Sequence, residues 1–162
     1  MKFNALLRAT IAVVIPNLAA AAPSIINGTD VPSASQYPFM VGVFPENKIC
    51  GGTILSTTMV VTAAHCVHLL QANVVTLRAG SLQFSEGGIN PITVSQVIEH
   101  PKYDAGNLDY DVAILKLTSP LEFSSTVSAA TLVASGADPV EGTTTTTMGC
   151  KNEFHYDQVI VG

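Results

Sequence analysis

The sequence of 162 residues predicts an all-β fold, either a sandwich or a barrel, in one domain. Short apolar stretches are separated by turn residues about every ten positions, and no long segment has a helical period. The length favours a single domain, because most domains contain roughly 100 to 150 residues.

Two stretches predict strands of different kinds. Val75, Leu77 and Ala79 alternate with polar residues between positions 74 and 79, which is typical of a strand buried on one face. Residues 112–117 are almost continuously apolar, so we expect both faces of that strand to be covered.

A third strand is predicted between Pro91 and Pro101, because proline tends to limit strands. Ile92, Val94 and Ile98 are expected to share its buried face.

Local propensity predicts two further elements. A short helical turn is expected at residues 63–66, with Thr62 placed to cap it. The run of threonines at residues 143–147 is polar but β-prone, and we interpret it as a strand.

The N-terminus has the features of a secretory signal peptide in their usual order. Lys2 and Arg8 precede an apolar stretch at residues 9–15, and small residues follow at positions 19–22. The apolar stretch is too short for a membrane span, which needs about 20 apolar residues. We therefore expect residues 1–22 to be removed and the protein to be secreted, with no membrane partner.

The charge balance excludes one class of function. Removal of the signal takes away two of seven basic residues and leaves five against twelve acidic ones, a net charge of −7. An acidic secreted protein without a basic patch has no electrostatic reason to bind nucleic acid. Secretion also places the three cysteines in an oxidising compartment, where their odd number leaves one thiol without an intrachain partner.

Two motifs carry the most specific signal. Residues 50–66 read C-G-G-T-I-L-S-T-T-M-V-V-T-A-A-H-C, and residues 111–117 read D-V-A-I-L-K-L. The chain resembles the trypsin-like, chymotrypsin-fold serine protease family between residues 25 and 147. The resemblance implies an antiparallel Greek-key β-barrel, the N-terminal barrel of a two-barrel fold, at residues 23–147.

The resemblance also implies the chemistry. His65 matches the family's general base, and Asp111 matches the acid that orients it. Cys50 and Cys66 match the disulfide beside that histidine. A carboxylate at the imidazole Nδ1–H fixes the tautomer and stabilises the imidazolium formed during proton transfer. Ile25 matches the residue that becomes the new N-terminus on activation.

Alternative roles for these residues are weaker. Asp109 lies two residues outside the matched motif, and we expect it to be solvated. His65 and His68 suggest a metal pair, but no third ligand has suitable spacing and zinc sites need three or four. We therefore expect neither a metal nor any other cofactor.

The resemblance ends before the nucleophile. Residues 148–162 do not match the family and are interpreted as a divergent or truncated tail. The family's serine lies in a G-D-S-G-G loop of the second barrel, whereas Ser81 and Ser135 each adjoin a single glycine. The oxyanion hole and the specificity pocket belong to the same second barrel. The chain as written is therefore expected to be truncated before its nucleophile and inactive.

The features needed for activation are also altered. Ile25 follows Ser24 and not Arg or Lys, so a tryptic activation cut is not expected. Asn27 begins an N-glycosylation acceptor sequence, and a glycan there would obstruct insertion of the new N-terminus.

Three functions remain open from the sequence. The first is a serine endopeptidase that acts on protein or peptide substrates in a full-length form containing the serine loop. The second is a non-catalytic secreted homologue that acts as a binding or inhibitor protein on an extracellular partner. The third is a non-functional truncation, which would express poorly and expose apolar surface.

Overall fold

The computed structural model describes residues 28–46, 48–83, 88–89, 91–137, 139–150 and 159–161. Their regular structure is nearly all β-strand, with one short α-helix and two 3₁₀ turns. The strands are β1 Thr29–Asp30, β2 Met40–Pro45, β3 Cys50–Ser56, β4 Met59–Thr62, β5 Val75–Ala79, β6 Ile92–Glu99, β7 Ala113–Leu117, β8 Met148–Cys150 and β9 Val159–Val161; the helix α1 is Ala64–Val67, and the 3₁₀ turns are Ala34–Gln36 and Ala72–Val74.

Six strands close into an antiparallel barrel in the order β2-β3-β4-β7-β6-β5, and β5 returns to pair with β2. Strands β1, β9 and β8 form a separate three-stranded antiparallel sheet. Closure leaves no unpaired edge in the barrel, because each strand is hydrogen-bonded on both sides. The prediction of an antiparallel β-barrel is confirmed.

The barrel interior is filled with aliphatic side chains that alternate along the strands. On β5, Val75, Leu77 and Ala79 are buried and the two residues between them are partly exposed, which confirms the predicted one-sided burial. The largest side chains that are fully buried are Ile54, Leu115, Val41, Val43, Val60, Val67, Val75, Val94, Val127 and Pro45.

Strand β6 departs from its prediction. Ile92, Val94 and Ile98 are expected to share a buried face, but Val94 is the one of the three that is buried, and Ile98 is 40% exposed. The pairing with β7 shifts register between Val94 and Gln96, where a β-bulge adds a residue to β6. Because side chains alternate with a period of two, the added residue turns Ile98 outwards.

Strand β7 also departs from its prediction. Ala113, Leu115 and Leu117 are buried, whereas Lys116 is exposed, so the apolar stretch at residues 112–117 is covered fully on one face and not on both. One face of β7 lines the barrel interior and the other reaches the surface, which is common for antiparallel sheets.

The two predictions from local propensity have different outcomes. The helical turn forms, but Thr62 ends β4 and does not cap it: Ala63 is the N-cap, and the Thr62 hydroxyl donates to the Gly51 carbonyl at 2.8 Å. The threonine run at residues 143–147 is exposed and forms no strand; the strand there is β8, which begins after it. Hydrogen bonding to a partner strand, more than local propensity, decides where a strand forms.

Several predictions fall outside the described residues. They are the signal peptide at residues 1–22, the new N-terminus Ile25, the glycosylation site Asn27 and most of the tail at residues 148–162. The side chain of Cys150, the third cysteine besides Cys50 and Cys66, also lies outside them. In the part of the chain that the structure describes, no helix has both the length and the apolar character needed to cross a bilayer.

Candidate active site

His65 lies on α1, which follows β4 directly. Ala63, the N-cap residue, keeps an extended backbone with φ −75° and ψ 142°, and the chain then turns into the helix. A disulfide joins Cys50 on β3 to Cys66 on α1, with 6.4 Å between their Cα atoms. His65 is therefore held to the barrel on both sides, by the end of β4 and by the disulfide. The disulfide implied by the resemblance is present.

Asp111 reaches His65 because of how β4 and β7 pair. The pairing is antiparallel, with Thr62 at the end of β4 opposite Ala113 at the start of β7. The residues just after β4 and just before β7 therefore leave the barrel at the same end. His65 and Asp111 are 46 residues apart in sequence and meet there.

The loop before Asp111 is held in an unusual conformation. Leu108 and Tyr110 have positive φ angles of 59° and 54°, which side-chain-bearing residues seldom adopt. The Tyr110 ring stacks on His100 with 4.8 Å between centroids, and Lys102 Nζ lies 5.5 Å from the Tyr110 centroid. These contacts fix the loop and hence the approach of Asp111 to the helix.

Asp111 contacts His65 at two atoms. Its Oδ2 lies 2.7 Å from the ring Nδ1, and its Oδ1 accepts a 2.8 Å hydrogen bond from the backbone N–H of His65. The hydrogen bond from the His65 ring, and next the one from the His65 backbone, hold the pKa of the Asp111 carboxyl below its usual range, although burial opposes this. An ionised Asp111 accepts Nδ1–H, which makes Nε2 the proton-accepting atom of neutral His65.

The alternative acid, Asp109, has a different partner. Its carboxylate accepts a hydrogen bond from the side-chain amide of Asn107 at 3.0 Å, and its backbone N–H donates to Asn107 Oδ1 at 3.0 Å. Asp109 is exposed, and these contacts close a turn within the loop. The structure therefore brings Asp111, and not Asp109, to the histidine.

A second histidine–carboxylate pair, which the sequence reasoning missed, lies beside the first. Nδ1 of His68 is 3.0 Å from Oε2 of Glu99 at the end of β6. The spacing of three residues between His65 and His68 is a signal that both lie on one helical turn. Nothing local identifies Glu99 as the partner, because it is 31 residues away from His68.

Tyr103 connects the surroundings of the two pairs. The His68 ring packs edge-on against it, with 5.2 Å between ring centroids. Burial raises the pKa of the Tyr103 phenol, and the carboxylates of Asp111, Glu99 and Asp104 raise it further. Both causes favour the protonated, uncharged phenol beside His68.

A cavity of about 220 Å³ borders His65. A larger cavity of about 690 Å³ is lined by residues such as Thr93, Thr118 and Phe123 but by neither His65 nor Asp111. We take the smaller cavity as the candidate site, because the His65 ring that contacts Asp111 lines it. Its lining is Pro45, Glu46, Lys48, His65, Cys66, His68 and Leu70.

One group of potential metal ligands occurs among the described residues. The Sγ atoms of Cys50 and Cys66 and a ring nitrogen of His65 all lie within 4.8 Å of one another. The sulfur atoms are joined in a disulfide, and the thiolate is the form of cysteine that binds metals. In this oxidised state neither sulfur atom is a thiolate.

Comparison with known proteins identifies the class that this fold and site define. A family profile described as Trypsin matches residues 25–160. The chain therefore belongs to the trypsin family of serine proteases.

Individual relatives agree with this assignment. The chain is 35% identical over 125 residues to Trypsin delta of Drosophila melanogaster, an alignment that covers 76% of this chain and 48% of the relative. It is 38% identical over 121 residues to Trypsin 5G1 of Aedes aegypti, which covers 74% of this chain and 44% of the relative. The chain thus spans about half the length of the curated relatives that it matches.

A solved structure supports the same fold. The crystal structure of the scabies mite inactivated protease paralogue S-D1 superimposes with a TM-score of 0.78. The match covers 85% of this chain and 60% of that chain at 22% sequence identity. At this identity the likeness concerns the barrel and not the activity.

Proposed function

We propose that this chain is the N-terminal barrel of a trypsin-like serine endopeptidase, with His65 as its general base and Asp111 as the acid that orients the base. The observation that carries the proposal is the double contact of Asp111, to the ring Nδ1 and to the backbone N–H of His65. Membership of the trypsin family supports the same roles. The proposed organisation is a signal peptide at residues 1–22, the barrel at residues 23–147 and a tail at residues 148–162, although the Trypsin profile also matches residues 148–160 of that tail.

The contact between His65 and Asp111 suits the proton-transfer steps of an acyl-transfer mechanism. A serine hydroxyl attacks the scissile carbonyl while Nε2 of His65 takes its proton, and the imidazolium then returns that proton to the leaving amine. Asp111 stays ionised throughout and stabilises the positive ring through Nδ1–H. Its lowered pKa suits this role, because the carboxylate remains charged at neutral pH.

The acid–base pair needs a nucleophile that these 162 residues do not contain. The sequence has no G-D-S-G-G segment. We propose that the serine, the oxyanion hole and the specificity pocket belong to a second barrel in a longer form, which would act on protein or peptide substrates. The 162-residue chain is predicted to be inactive, because the roughly 10³–10⁴-fold catalysis that survives loss of a triad member depends on the oxyanion hole and substrate binding.

An activity assay tests this directly. The purified 162-residue chain is incubated with a mixed peptide library, with and without a serine-directed phosphonate. We expect no turnover that the phosphonate abolishes. Phosphonate-sensitive hydrolysis would contradict the prediction that the nucleophile lies outside this chain.

The longer form is tested by the intact mass and C-terminal peptide of the protein from its native source. If that product carries the serine loop, Asp111→Asn should lower kcat by about 10⁴-fold, because the imidazole adopts the wrong tautomer. Asp109→Asn is the matched control and should leave kcat unchanged. Equal losses in the two variants would refute the assignment of Asp111.

A second candidate is a non-catalytic secreted homologue that binds an extracellular protein. The closed six-strand barrel is compatible with it, because such a barrel pairs all of its strands among the described residues. Soluble, monomeric expression of residues 25–162 would support such a domain. Aggregation with strong binding of a hydrophobic dye would instead indicate a non-functional truncation.

Secretion and processing complete the proposal. The signal-like N-terminus and the Cys50–Cys66 disulfide both fit an oxidising extracellular compartment. N-terminal sequencing of the secreted protein tests whether Ile25 becomes the first residue. A mass shift after peptide N-glycosidase treatment tests whether Asn27 carries a glycan.

A further inference from the structure

Two cysteine sulfur atoms and one histidine ring nitrogen lie in one cluster at the disulfide beside His65. Cys66 Sγ lies 3.4 Å from His65 Nε2, and the Sγ atoms of both cysteines and a ring nitrogen of His65 fall within 4.8 Å of one another. In the oxidised chain the two sulfur atoms bond to each other. In the reduced chain they become two thiols next to an imidazole.

We propose that the reduced chain binds Zn²⁺ through the Cys50 and Cys66 thiolates and Nε2 of His65, with water as the fourth ligand. Two thiolates and one imidazole are a set that zinc accepts in sites that keep one open position. Zinc is borderline soft and prefers thiolate and imidazole to the carboxylates nearby. The site therefore exists only when the disulfide is open.

The surroundings of His65 meet a requirement that zinc histidines usually share. A metal-bound histidine almost always donates its other ring N–H to a carboxylate or carbonyl, which fixes the tautomer and raises the basicity of the ligating nitrogen. Asp111 Oδ2 accepts from Nδ1 of His65 at 2.7 Å, so Nε2 is already the ligating atom. The same contact that orients a base thus orients a zinc ligand.

The cluster also has an entry path. The cavity of about 220 Å³ is lined by both His65 and Cys66, and the His65 side chain is 52% exposed. A hydrated ion can reach Nε2 and Cys66 Sγ from this cavity and retain one water on its open side.

The disulfide is converted to the zinc site in two steps, a two-electron reduction and then metal binding. A dithiol reductant gives two electrons and two protons to the disulfide, which becomes two thiols, and the reductant is oxidised to a disulfide. Zn²⁺ then displaces one proton from each thiol. Oxidation reverses the sequence and releases the ion. The disulfide and the metal site are therefore mutually exclusive.

One consequence rests on the proposed function of His65 as a base. Zinc on Nε2 would occupy the lone pair that accepts the nucleophile's proton, so a longer form with the serine loop would be held inactive in the reduced state until its disulfide forms. The binding itself does not depend on peptidase activity, and it is tested without it.

Cobalt substitution provides the test, in a Cys150→Ser background that removes the third thiol. The reduced chain is titrated with Co²⁺, and we expect one equivalent to give the visible absorption of a tetrahedral site with a thiolate-to-metal charge-transfer band. Zn²⁺ should displace the cobalt. The oxidised chain should give neither band.

Variants assign the ligands. His65→Ala should weaken Zn²⁺ binding by at least tenfold, and Asp111→Asn should weaken it by about 10–100-fold through loss of the carboxylate contact. Asp109→Asn is the matched control for Asp111→Asn, because its carboxylate bonds to Asn107 and not to His65, and it should bind as the parent does. Loss in Asp109→Asn equal to that in Asp111→Asn, or unchanged binding in His65→Ala, would overturn the proposed ligand set.

Thermal unfolding distinguishes Zn²⁺ binding by the folded chain from Zn²⁺ binding by the unfolded chain. If the folded site holds the ion, Zn²⁺ raises the Tm of the reduced parent and not that of reduced His65→Ala. A Tm that Zn²⁺ leaves unchanged or lowers in the parent would overturn the proposal, because the ion would then not favour the folded state. Neither result bears on whether a longer form is a peptidase.

Discussion

At the residue scale, the two contacts of Asp111 do different work. The contact to Nδ1 selects the ring tautomer, and the contact to the backbone N–H of His65 ties the start of α1 to the start of β7. The ring orientation and the helix position are therefore set by one side chain. A change at Asp111 should disturb the tautomer first, because no other group is placed at Nδ1 in the contacts described above.

The tautomer of His65 is directly measurable. We expect ¹⁵N NMR of the neutral ring to place the proton on Nδ1 in the parent chain. In Asp111→Asn the amide can donate to Nδ1, so the proton should move to Nε2. Asp109→Asn should retain the parent spectrum. A parent ring protonated on Nε2 would contradict the described contact.

Acid should remove the stabilising effect of Asp111. The pKa of Asp111 is lowered in the folded chain, mainly by the hydrogen bond from the His65 ring. On acidification the unfolded chain therefore takes up the proton first, at about pH 3.9. The stabilisation is complete above that pH and is lost as the pH falls through the lower folded-state pKa.

Urea unfolding at a series of pH values measures this effect. We expect the difference in unfolding free energy between the parent and Asp111→Asn to shrink as the pH is lowered from about 5. The same difference for Asp109→Asn should change much less. A gap for Asp111→Asn that is independent of pH would argue against the lowered pKa.

At the scale of elements, α1 depends on its attachments. A helix of four residues is far too short to be stable alone, since isolated helices shorter than about 12–15 residues are marginal in water. The β4 strand before it and the Cys50–Cys66 disulfide hold it in place. The position of His65 therefore depends on β3, β4 and β7 together. Substitutions that disturb the packing of these strands should also displace His65.

Strand β3 offers a paired test of that packing. A Cβ at Gly52 would lie 3.0 Å from side-chain atoms of Val41, Val43 and Val60, whereas a Cβ at Gly51 would meet nothing within 4 Å. Overpacking typically costs about 1–3 kcal/mol, and we expect Gly52→Ala to lower the unfolding free energy by that amount. Gly51→Ala should stay within about 0.5 kcal/mol. Equal effects in urea denaturation would contradict the inward position of Gly52.

At the scale of the whole molecule, closure of the barrel makes its strands interdependent. Each of the six strands pairs on both sides, and one continuous apolar cluster fills the interior. Loss of one strand would expose the backbone groups of two neighbours and open the core, so we expect the barrel to unfold in a single transition.

The core itself is tested at Leu115, which is fully buried in the centre of β7. Leu115→Ala should destabilise the chain by about 2–5 kcal/mol, because buried contacts are lost and a cavity remains. Leu132→Ala, at a position 69% exposed, is the matched control and should cost no more than about 0.5 kcal/mol. Two separate transitions in the urea curve would contradict a cooperative barrel.

The sequence determined the class of fold and identified the residues of the candidate site. Alternation along residues 75–79 is a local pattern, and it predicts the burial of β5 correctly. The motifs around His65 and Asp111 are also local, because each is one short stretch of sequence, at residues 50–66 and 111–117, and their resemblance to the trypsin-like family selected the two residues. The burial pattern of one strand and the identity of the site residues can therefore be predicted from short stretches of sequence, without knowing which strands pair.

Tertiary structure decided what depends on pairing between distant segments. The bulge in β6 turns Ile98 outwards, although the local period of two predicts it inside. The Thr62 hydroxyl on β4 bonds to the Gly51 carbonyl on the neighbouring strand β3 instead of capping the helix. The His68–Glu99 pair spans 31 residues. Strand register and the meeting of remote side chains depend on how the whole barrel closes, and no local sequence pattern encodes them.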